Sequence, residues 1–180
     1  IPDDVTYLNC AYISPSLKSV TKAGRQGMGK KSQPWTITPP DFFKESEEAR
    51  SLFSQIIGSS SEDIAIIPAV SYGIATAALN LPIKKNENVV VLEEQFPSNY
   101  YGWVENVKRT DGELIVVSRP EEGSLTSAIL SAINEKTAVV ALPNCHWTDG
   151  AVIDLLEVST KCRQYGAALV LDLAQSAGAI

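Results

Sequence analysis

The sequence predicts an α/β fold, with a mainly parallel sheet and helices on both of its faces. Five short apolar runs recur along the chain and begin about 24 to 30 residues apart. None of them alternates apolar with polar residues, which is typical of strands buried on both faces. The segments between the runs have helical spacing, so the chain indicates right-handed βαβ units. The runs are 64–67, 89–92, 114–117, 138–142 and 168–171.

Two of the intervening helices have clear start or stop signals. Ser124 can cap a helix in which Ile129 and Ile133 share one face with Leu125. A second helix can begin at Asp154, and Gly166 is expected to end it. Glycine suits that position because it adopts the left-handed conformation of a helix C-terminus without strain.

Two earlier helices are predicted from weaker signals. A helix of small residues is expected to open at Ser71 and to stop at Pro82. Another is expected to open at Ser98 and to continue through Val107. Both interpretations use the hydroxyl of serine as an acceptor for the free N–H groups of the first helical turn.

The first 60 residues have a different pattern from the rest of the chain. Pro39-Pro40 interrupts them, and helical spacing covers 17–31 and 41–57. The second helical segment sets large apolar side chains against the charged stretch 44–50. We interpret residues 1–60 as an N-terminal arm with packing helices, and not as a separate domain.

Composition and charge argue against several classes of protein. Lys and Arg number 15 and Asp and Glu number 21, so a formal net charge of −6 offers no attraction to nucleic acid or to an anionic membrane. No apolar run approaches the roughly 18 residues of a membrane helix, and no signal peptide is visible. Three scattered cysteines indicate a reducing, cytoplasmic setting. With His146 as the single histidine, we expect no metal site.

Polar and aromatic side chains follow the apolar runs, where the carboxyl ends of parallel strands form ligand sites. They are Ser71 after the first run, Phe96 after the second, Trp147 after the fourth, and Asp172 with Gln175 after the fifth. Each one alone is more often a helix cap, a packing aromatic or a solvated turn residue. Together they supply an anion-binding helix end, two flat apolar surfaces and a carboxylate for a ring nitrogen. We expect them to converge at one edge of a five-stranded sheet, as a site for a phosphorylated aromatic cofactor.

These motifs resemble those of pyridoxal 5'-phosphate (PLP) enzymes of fold type I, and among them the class V aminotransferase family. That family includes cysteine desulfurases, selenocysteine lyases, isopenicillin N epimerase-like proteins and kynureninases. Segment 166–178 is similar to the family's strand-Asp-x-Ala-Gln signature, and residues 93–99 followed by Trp103 are a second match. Tyr7-Leu8-Asn9-Cys10-Ala11 resembles the family's opening Tyr-Leu-Asn-Asn-Ala, so the resemblance covers almost the whole chain.

The resemblance implies PLP as the cofactor and assigns roles around its ring. Asp172 matches the aspartate that pairs with the protonated pyridine nitrogen. Gln175 matches the glutamine that hydrogen-bonds the phenolic oxygen of the ring. Phe96 falls where desulfurases keep a stacking His, and its Phe-Pro-Ser run resembles kynureninases and epimerase-like members. Trp147 falls where many members keep an Asn that reaches the ring oxygen.

The resemblance also implies a phosphate site. Val70 and Ser71 match two residues, often both Thr, that bind the phosphate. Ser71 can offer its N–H and its hydroxyl, whereas Val70 can offer only its N–H.

The catalytic lysine of the family has no counterpart in this chain. The family's Schiff-base lysine lies in a Ser-x-His-Lys-like segment after the Asp-x-x-Gln strand, and none of the ten lysines here follows that strand. The resemblance therefore implies the front part of a longer protein, with no catalytic residue of its own. Residues 61–180 would be the first part of a three-layer PLP-transferase large domain, incomplete at its C-terminus. The lysine segment and a C-terminal small domain would lie further along.

As a family member, the protein is expected to be a homodimeric enzyme acting on small amino-acid substrates, by transamination or by lyase- or desulfurase-type chemistry. Phe96 mildly disfavours the His-bearing desulfurases. The alternative is a non-catalytic or truncated scaffold of the same fold that lacks the lysine.

Two unrelated functions have less support from the sequence. A nucleotide-binding α/β module needs a glycine-rich turn after its first strand, and residues 68–73 contain neither G-x-G-x-x-G nor a P-loop motif. A hydrolase built on Cys145 and His146 is disfavoured because adjacent residues of an extended segment point to opposite sides.

Overall fold

The structure, a computed structural model, describes residues 1–179, which fall into two compact units, one of residues 1–66 and one that begins at Ile67. The first unit contains helices α1 (Lys18–Lys30) and α2 (Asp41–Ile57), which confirms both predicted helices. Single 3-10 turns at Pro34–Thr36 and Ser61–Asp63 follow them. No helix among residues 1–179 has the length and apolar character needed to cross a membrane.

Short-range polar contacts hold the first unit together. The Asp41 carboxylate accepts the N–H and the hydroxyl of Thr38, at 2.8 and 2.7 Å, and so fixes the turn that leads into α2. Gly58 ends the helix in the left-handed conformation, with φ of 67°. Arg50 ties α2 to the turn beyond it by donating to the carbonyls of Ser61 and Ile64, both at 2.7 Å.

The second unit is a parallel sheet with four further helices. Its strands are β1 (Asn88–Leu92), β2 (Glu113–Val117), β3 (Thr137–Pro143) and β4 (Ala168–Asp172). Their order in the sheet is β2-β1-β3-β4, and all three pairs are parallel. The helices are α3 (Val70–Asn80), α4 (Pro97–Thr110), α5 (Leu125–Ala132) and α6 (Leu155–Tyr165). This arrangement confirms the predicted α/β class.

Each strand of the sheet centre buries both of its faces. On one face of β1, Val89 and Val91 pack in a cluster with Trp103 of α4, which also includes residues of α3. On the other face, Val90 and Leu92 belong to a cluster built from α5 and α6. The sheet therefore lies between two helical layers, as the continuous apolar runs predict.

The prediction of a fifth strand at 64–67 is wrong. This segment forms no strand among the described residues, and Ile66 and Ile67 stay 60% and 45% exposed. A strand needs a neighbour to satisfy its backbone groups. Here the Ile64 carbonyl accepts from Arg50, and the Ile64 N–H donates to Ser61. The apolar run therefore belongs to a turn region and not to the sheet.

The predicted helix ends are confirmed in α5 and α6 and differ in α3 and α4. Ser124 and Asp154 accept N–H groups of the first turns of α5 and α6, and Gly166 ends α6 with φ of 72°. Helix α4 begins one residue early because Pro97 suits the first helical position, having no N–H to satisfy. Helix α3 begins at Val70, so Ser71 lies inside its first turn and is not the cap.

Candidate functional site

The carboxyl ends of three adjacent strands meet at one edge of the sheet. Strand β3 lies between β1 and β4, and Pro143 at its end is in register with Asp172 at the end of β4. The loops that follow these strands therefore face one another at the same edge. This is the position at which parallel α/β sheets bind ligands.

Asp172 is a buried carboxylate with no cationic side chain beside it. Only 7% of its surface is exposed, and one carboxylate oxygen accepts the Ala174 N–H at 3.2 Å. No Lys, Arg or His within residues 1–179 forms an ion pair with it. A buried negative charge is costly unless it is paired, so this position suits a cationic atom of a ligand. Gln175 lies half-buried three residues further along.

The first turn of α3 lies at the same edge. Ile74 packs against Gly102 of α4, where a methyl group on the glycine would lie 3.1 Å from Ile74 Cγ2. Four residues further along both helices, the Asn106 amide donates to the Ala78 carbonyl. Equal spacing on both helices means that α3 and α4 run side by side in the same direction. Because α4 begins directly after β1, the start of α3 also lies at the carboxyl edge of the sheet.

This helix start has unused hydrogen-bond donors. Ala69 precedes α3 without a capping side chain, and the backbone N–H groups of Val70 and Ser71 have no acceptor among the described residues. The Ser71 side chain is exposed, and its hydroxyl forms no hydrogen bond with the described residues. Free N–H groups and the positive end of the helix dipole favour an anion at this position.

Two aromatic rings from different loops contact each other at the edge. Phe96, which precedes α4, and Trp147, in the loop after β3, have ring centroids 5.3 Å apart at an interplanar angle of 82°. Such an edge-to-face contact is favourable, and it leaves one face of a ring available to a further flat group. The Trp147 indole N–H donates to the Glu94 carbonyl at 2.8 Å, so it is already used within the protein.

The loop between β1 and α4 is also held from inside by a buried polar network. Gln95 is 6% exposed, and its amide donates to the Asn99 carbonyl at 2.9 Å. The Asn99 side-chain oxygen accepts the Trp103 indole N–H at 3.1 Å. Trp103 is fully buried, so this network ties the loop to the core. No sequence pattern indicated it.

A second group of polar residues that sequence reasoning missed lies around His146. This imidazole is 4% exposed, with Nδ1 2.8 Å from the Thr148 hydroxyl and Nε2 3.3 Å from the Glu93 carbonyl. Neither ring nitrogen contacts the Cys145 thiol in the described chain, which gives no support to a cysteine–histidine hydrolase. The adjacent Trp and the Thr that follows were the available sequence signals for a structural role.

Asp149 lies at the surface in the loop that follows β3 and stabilises that loop by hydrogen bonding and ion pairing. Its carboxylate accepts the Ala151 N–H at 2.9 Å and pairs with Arg119, which follows β2. The Ala151 N–H, aided by the Arg119 guanidinium and by His146, holds the pKa of Asp149 below its ordinary value. The loop after β3 is therefore closed by its own hydrogen bonds as well as by contacts to its neighbours.

All six residues predicted for the site lie at this one edge of the sheet. They are Val70, Ser71, Phe96, Trp147, Asp172 and Gln175. Of these, Phe96 and Trp147 contact each other directly. Their roles toward a cofactor stay predictions.

The architecture defines the class of protein. A parallel sheet between helical layers, with its loops at the carboxyl edge, matches the cystine C-S lyase C-DES, solved with its reaction product cysteine persulfide. The TM-score is 0.83 over 98% of this chain and 49% of that chain, at 16% identity. The fold is therefore that of the PLP transferases of fold type I.

The chain belongs to the aminotransferase class-V family, whose model matches residues 39–180. It is 26% identical over 137 residues to the uncharacterized aminotransferase YcbU of Bacillus subtilis, covering 76% of this chain and 36% of that protein. It is 25% identical over 167 residues to kynureninase 2 of Phaeosphaeria nodorum, covering 86% of this chain and 34% of that protein. The chain thus spans about a third of the length of the curated relatives it matches.

Proposed function

We propose that this chain is the PLP-binding front part of an enzyme that acts on amino acids. The main support is Asp172, a buried carboxylate without a cationic partner among residues 1–179, at the carboxyl end of β4. Membership of the class V aminotransferase family, whose members use PLP, supports the same cofactor. The rest of the edge offers matching groups for the phosphate and for the ring.

The phosphate would bind at the start of α3. The unpaired N–H groups of Val70 and Ser71 and the Ser71 hydroxyl provide three donors in one turn. The N-terminal end of the helix dipole adds a favourable field for a dianion. Val70 lacks a hydroxyl, so its contribution is limited to the backbone.

The ring would lie between Phe96 and the end of β4. Phe96 would stack on one face, and Asp172 would keep the pyridine nitrogen protonated by charge pairing. Gln175 would hydrogen-bond the phenolic oxygen. When bound, PLP supplies an electron-withdrawing ring that stabilises negative charge developing at the α-carbon of the amino acid.

Trp147 has a different proposed role from the asparagine found at its position in many relatives. Its N–H donates to the Glu94 carbonyl, and its ring packs edge-on against Phe96. We therefore propose that Trp147 supports the stacking residue and does not reach the ring oxygen.

The cofactor-linking lysine would come from the remainder of the protein. In the second unit, four lysines lie at or near the opposite edge of the sheet: Lys84, Lys85, Lys108 and Lys136. The fifth, Lys161, lies on α6 with its ammonium group 5.1 Å from the Tyr165 ring centroid. No lysine of residues 67–179 therefore lies at the carboxyl edge.

Several reactions share this site, and Phe96 favours some of them. A phenyl ring can stack but cannot transfer protons, so kynureninase-like or isopenicillin N epimerase-like chemistry fits better than that of His-bearing desulfurases. Transamination, selenocysteine lyase and desulfurase reactions stay open. The alternative proposal is a scaffold that binds PLP without catalysis.

The test uses the full-length protein with PLP and a panel of amino acids. We expect absorbance above 400 nm on adding PLP, removed by borohydride, and turnover of at least one amino acid. Release of a 2-oxo acid, of sulfide or of alanine distinguishes the reaction types. PLP binding without any turnover supports the scaffold, and no binding at saturating PLP contradicts the proposal.

A matched pair of serine variants tests the phosphate site. Ser71→Ala removes the hydroxyl from the first turn of α3, and we expect PLP affinity to fall about 10-fold, as for one hydrogen bond to a charged group. Ser159→Ala removes a half-buried hydroxyl of α6, which donates to the Leu156 carbonyl at 3.3 Å, and serves as the control, with no change in PLP affinity expected. Equal affinities in the two variants would place the phosphate elsewhere.

We also propose that the full protein is a cytoplasmic homodimer. Large apolar side chains of the first unit are exposed, among them Leu8 at 89% and Trp35 at 78%, and a second subunit could cover them. The three cysteines are free thiols, as in proteins of a reducing compartment. Light scattering of the full-length protein tests the dimer, and a monomer at micromolar concentration would contradict it.

A further inference from the structure

We propose that His146 is a positioning residue of the site, which fixes the stacking residue Phe96 by holding the loop in front of it. The 93–96 loop joins β1 to α4 and ends in Phe96. The inference rests on the proposed function, because it concerns the residue that would stack on the cofactor ring.

His146 and Trp147 hold the 93–96 loop through two consecutive carbonyl groups. The His146 Nε2–H points to the Glu93 carbonyl at 3.3 Å, and the Trp147 indole N–H donates to the Glu94 carbonyl at 2.8 Å. Both donors come from the loop after β3, so they join two loops that are 53 residues apart in sequence. We name this pair of hydrogen bonds the loop clamp.

The imidazole is itself held in the orientation that the clamp needs. The Thr148 hydroxyl lies 2.8 Å from Nδ1, and the Thr148 N–H points to the same nitrogen at 3.5 Å. The Glu93 carbonyl can only accept, so its contact with Nε2 requires the ring proton on that nitrogen. Nδ1 then accepts the Thr148 N–H, and Asp149 Oδ1 lies further away, at 3.8 Å. His146 is 4% exposed, so the imidazole is shielded from bulk water.

The backbone of the 93–96 loop needs such an external restraint. Glu94 has φ of 53°, a left-handed conformation that is costly for a non-glycine residue and persists only when the surroundings impose it. A cavity of about 30 Å³ lies between Glu93, Glu94, Arg119 and His146. On that side the clamp hydrogen bonds restrain the loop, in addition to the Gln95–Asn99–Trp103 network that ties it to the core.

The clamp acts on Phe96 by two routes. Phe96 follows Glu94 by two residues, so the left-handed turn at Glu94 sets the direction in which the chain enters α4. Trp147, which forms the second clamp bond, also packs edge-on against the Phe96 ring. Loosening the clamp would therefore change the orientation of the ring without removing any group that touches the cofactor.

The first experiment measures the clamp without any cofactor. Hydrogen exchange in the full-length apoprotein reports the Glu93 and Asn99 amides, which donate to the Val117 and Phe96 carbonyls, both at 2.9 Å, and bracket the loop. In His146→Leu we expect both amides to exchange about 10-fold faster, as for the loss of one hydrogen bond. The Val91 amide inside β1 is the internal control. Unchanged exchange in His146→Leu overturns the proposal.

The second experiment uses pyridoxamine 5'-phosphate, which binds without a lysine linkage. We expect His146→Leu to weaken its affinity about 5- to 10-fold in the parent protein, and by less than about 2-fold in a Phe96→Leu background. His146→Gln keeps an N–H near the Nε2 position and is expected to restore most of the affinity. Equal losses in both backgrounds overturn a role through Phe96.

Two further measurements distinguish a failure of the clamp proposal from a variant that does not fold and from a failure of the proposed function. If His146→Leu does not fold by circular dichroism, Trp147→Phe removes the second clamp bond and keeps an aromatic ring beside Phe96. Trp147 is 41% exposed, and the same exchange increase is expected in this variant. If the parent does not bind pyridoxamine 5'-phosphate, the proposed function fails. The exchange data then still decide whether the clamp exists.

Discussion

The two units of the chain both contain well-formed helices, but they bury their side chains very differently. In the second unit, the β1 valines Val89, Val90 and Val91 are completely buried between helices. Among residues 1–66, Ser54 is the one buried residue, and large apolar side chains such as Phe42 stay 72% exposed. Secondary structure in the first unit therefore follows from local signals, such as the Asp41 start and the Gly58 end of α2.

The difference in burial between the two units shows that a segment can form a helix without contributing much to the stability of the fold. Local capping and spacing select a helix, whereas most of the stabilising free energy comes from tertiary burial. Stability of residues 1–179 is thus concentrated around the sheet, whose carboxyl edge contains the candidate site. The following predictions test this contrast.

The largest contrast is expected between two tryptophans. Trp103→Ala removes a fully buried ring and its hydrogen bond to Asn99, and should lower the free energy of unfolding by about 3–5 kcal/mol. Trp35→Ala changes a side chain that is 78% exposed and should cost less than about 0.5 kcal/mol. Urea unfolding followed by circular dichroism measures both. Similar losses would show that the first unit is also part of a packed core.

Thiol labelling provides the next contrast. Cys162 is 2% exposed in the core around α6, and burial raises the pKa of its thiol, whereas Cys10 is exposed in the first unit. If local opening costs about 3 kcal/mol, labelling of Cys162 is slower on the order of 100-fold. Mass spectrometry after a pulse of iodoacetamide gives the two rates. Equal rates would mean that the second unit opens as readily as the first.

A smaller effect is expected at the start of α6. The Asp154 carboxylate accepts the N–H groups of Leu156 and Glu157, both at 3.0 Å. Asp154→Ala should cost about 1 kcal/mol of unfolding free energy, and Asp154→Asn should keep most of it because asparagine also caps helices. Thermal unfolding of the two variants measures the difference. If Asp154→Asn loses as much unfolding free energy as Asp154→Ala, the negative charge of Asp154 stabilises α6, and not its capping hydrogen bonds.

The smallest effect concerns acid pH in the first unit. Hydrogen bonds from the Thr38 hydroxyl and N–H hold the pKa of Asp41 below its ordinary value. A carboxyl with a lowered folded-state pKa stabilises the fold above its unfolded-state pKa, and this contribution is lost as the pH falls through the folded-state value. Carbon-13 titration should show the lowered pKa of Asp41 and its rise in Thr38→Val. An unchanged pKa in that variant would show that the Thr38 hydroxyl is not the main cause of the lowered pKa of Asp41.

The sequence was most informative where a pattern has one physical solution. Four continuous apolar runs form the strands because only burial on both faces suits them, and Ser124, Asp154 and Gly166 begin or end helices as their chemistry predicts. The strand predicted at 64–67 does not form, because an apolar run does not reveal whether a neighbouring strand exists. Arg50, fourteen residues earlier, uses the Ile64 carbonyl instead.

The site was predictable as a location and not as a set of contacts. Strand topology places Phe96, Trp147, Asp172 and Gln175 at one edge, because the carboxyl ends of parallel strands coincide. Val70 and Ser71 follow no strand of the sheet, and the packing of α3 beside α4 brings them to the same edge. The loop clamp from His146 and Trp147 joins residues far apart in sequence, and neither periodicity nor motif spacing contains that information. The same limit applies to the buried Gln95–Asn99–Trp103 network.

The most direct test of the proposed site is turnover of the full-length Asp172→Asn variant at saturating PLP, with cofactor content measured by absorbance. The substitution replaces the carboxylate by a neutral amide of similar size, so it removes the negative charge proposed to lie beside the ring nitrogen. The matched control is Asp111→Asn, which changes an exposed residue at the end of α4 whose φ of 53° asparagine accepts easily.

We predict similar cofactor content in all three proteins and a loss of turnover only in Asp172→Asn. Losing one charge-assisted contact in a dry site costs about 2 to 4 kcal/mol of barrier, or roughly 30- to 1000-fold in rate. Asp111→Asn should match the parent. Equal turnover in Asp172→Asn and the parent would contradict the proposed role, since Asp172 would then be a structural strand-end residue.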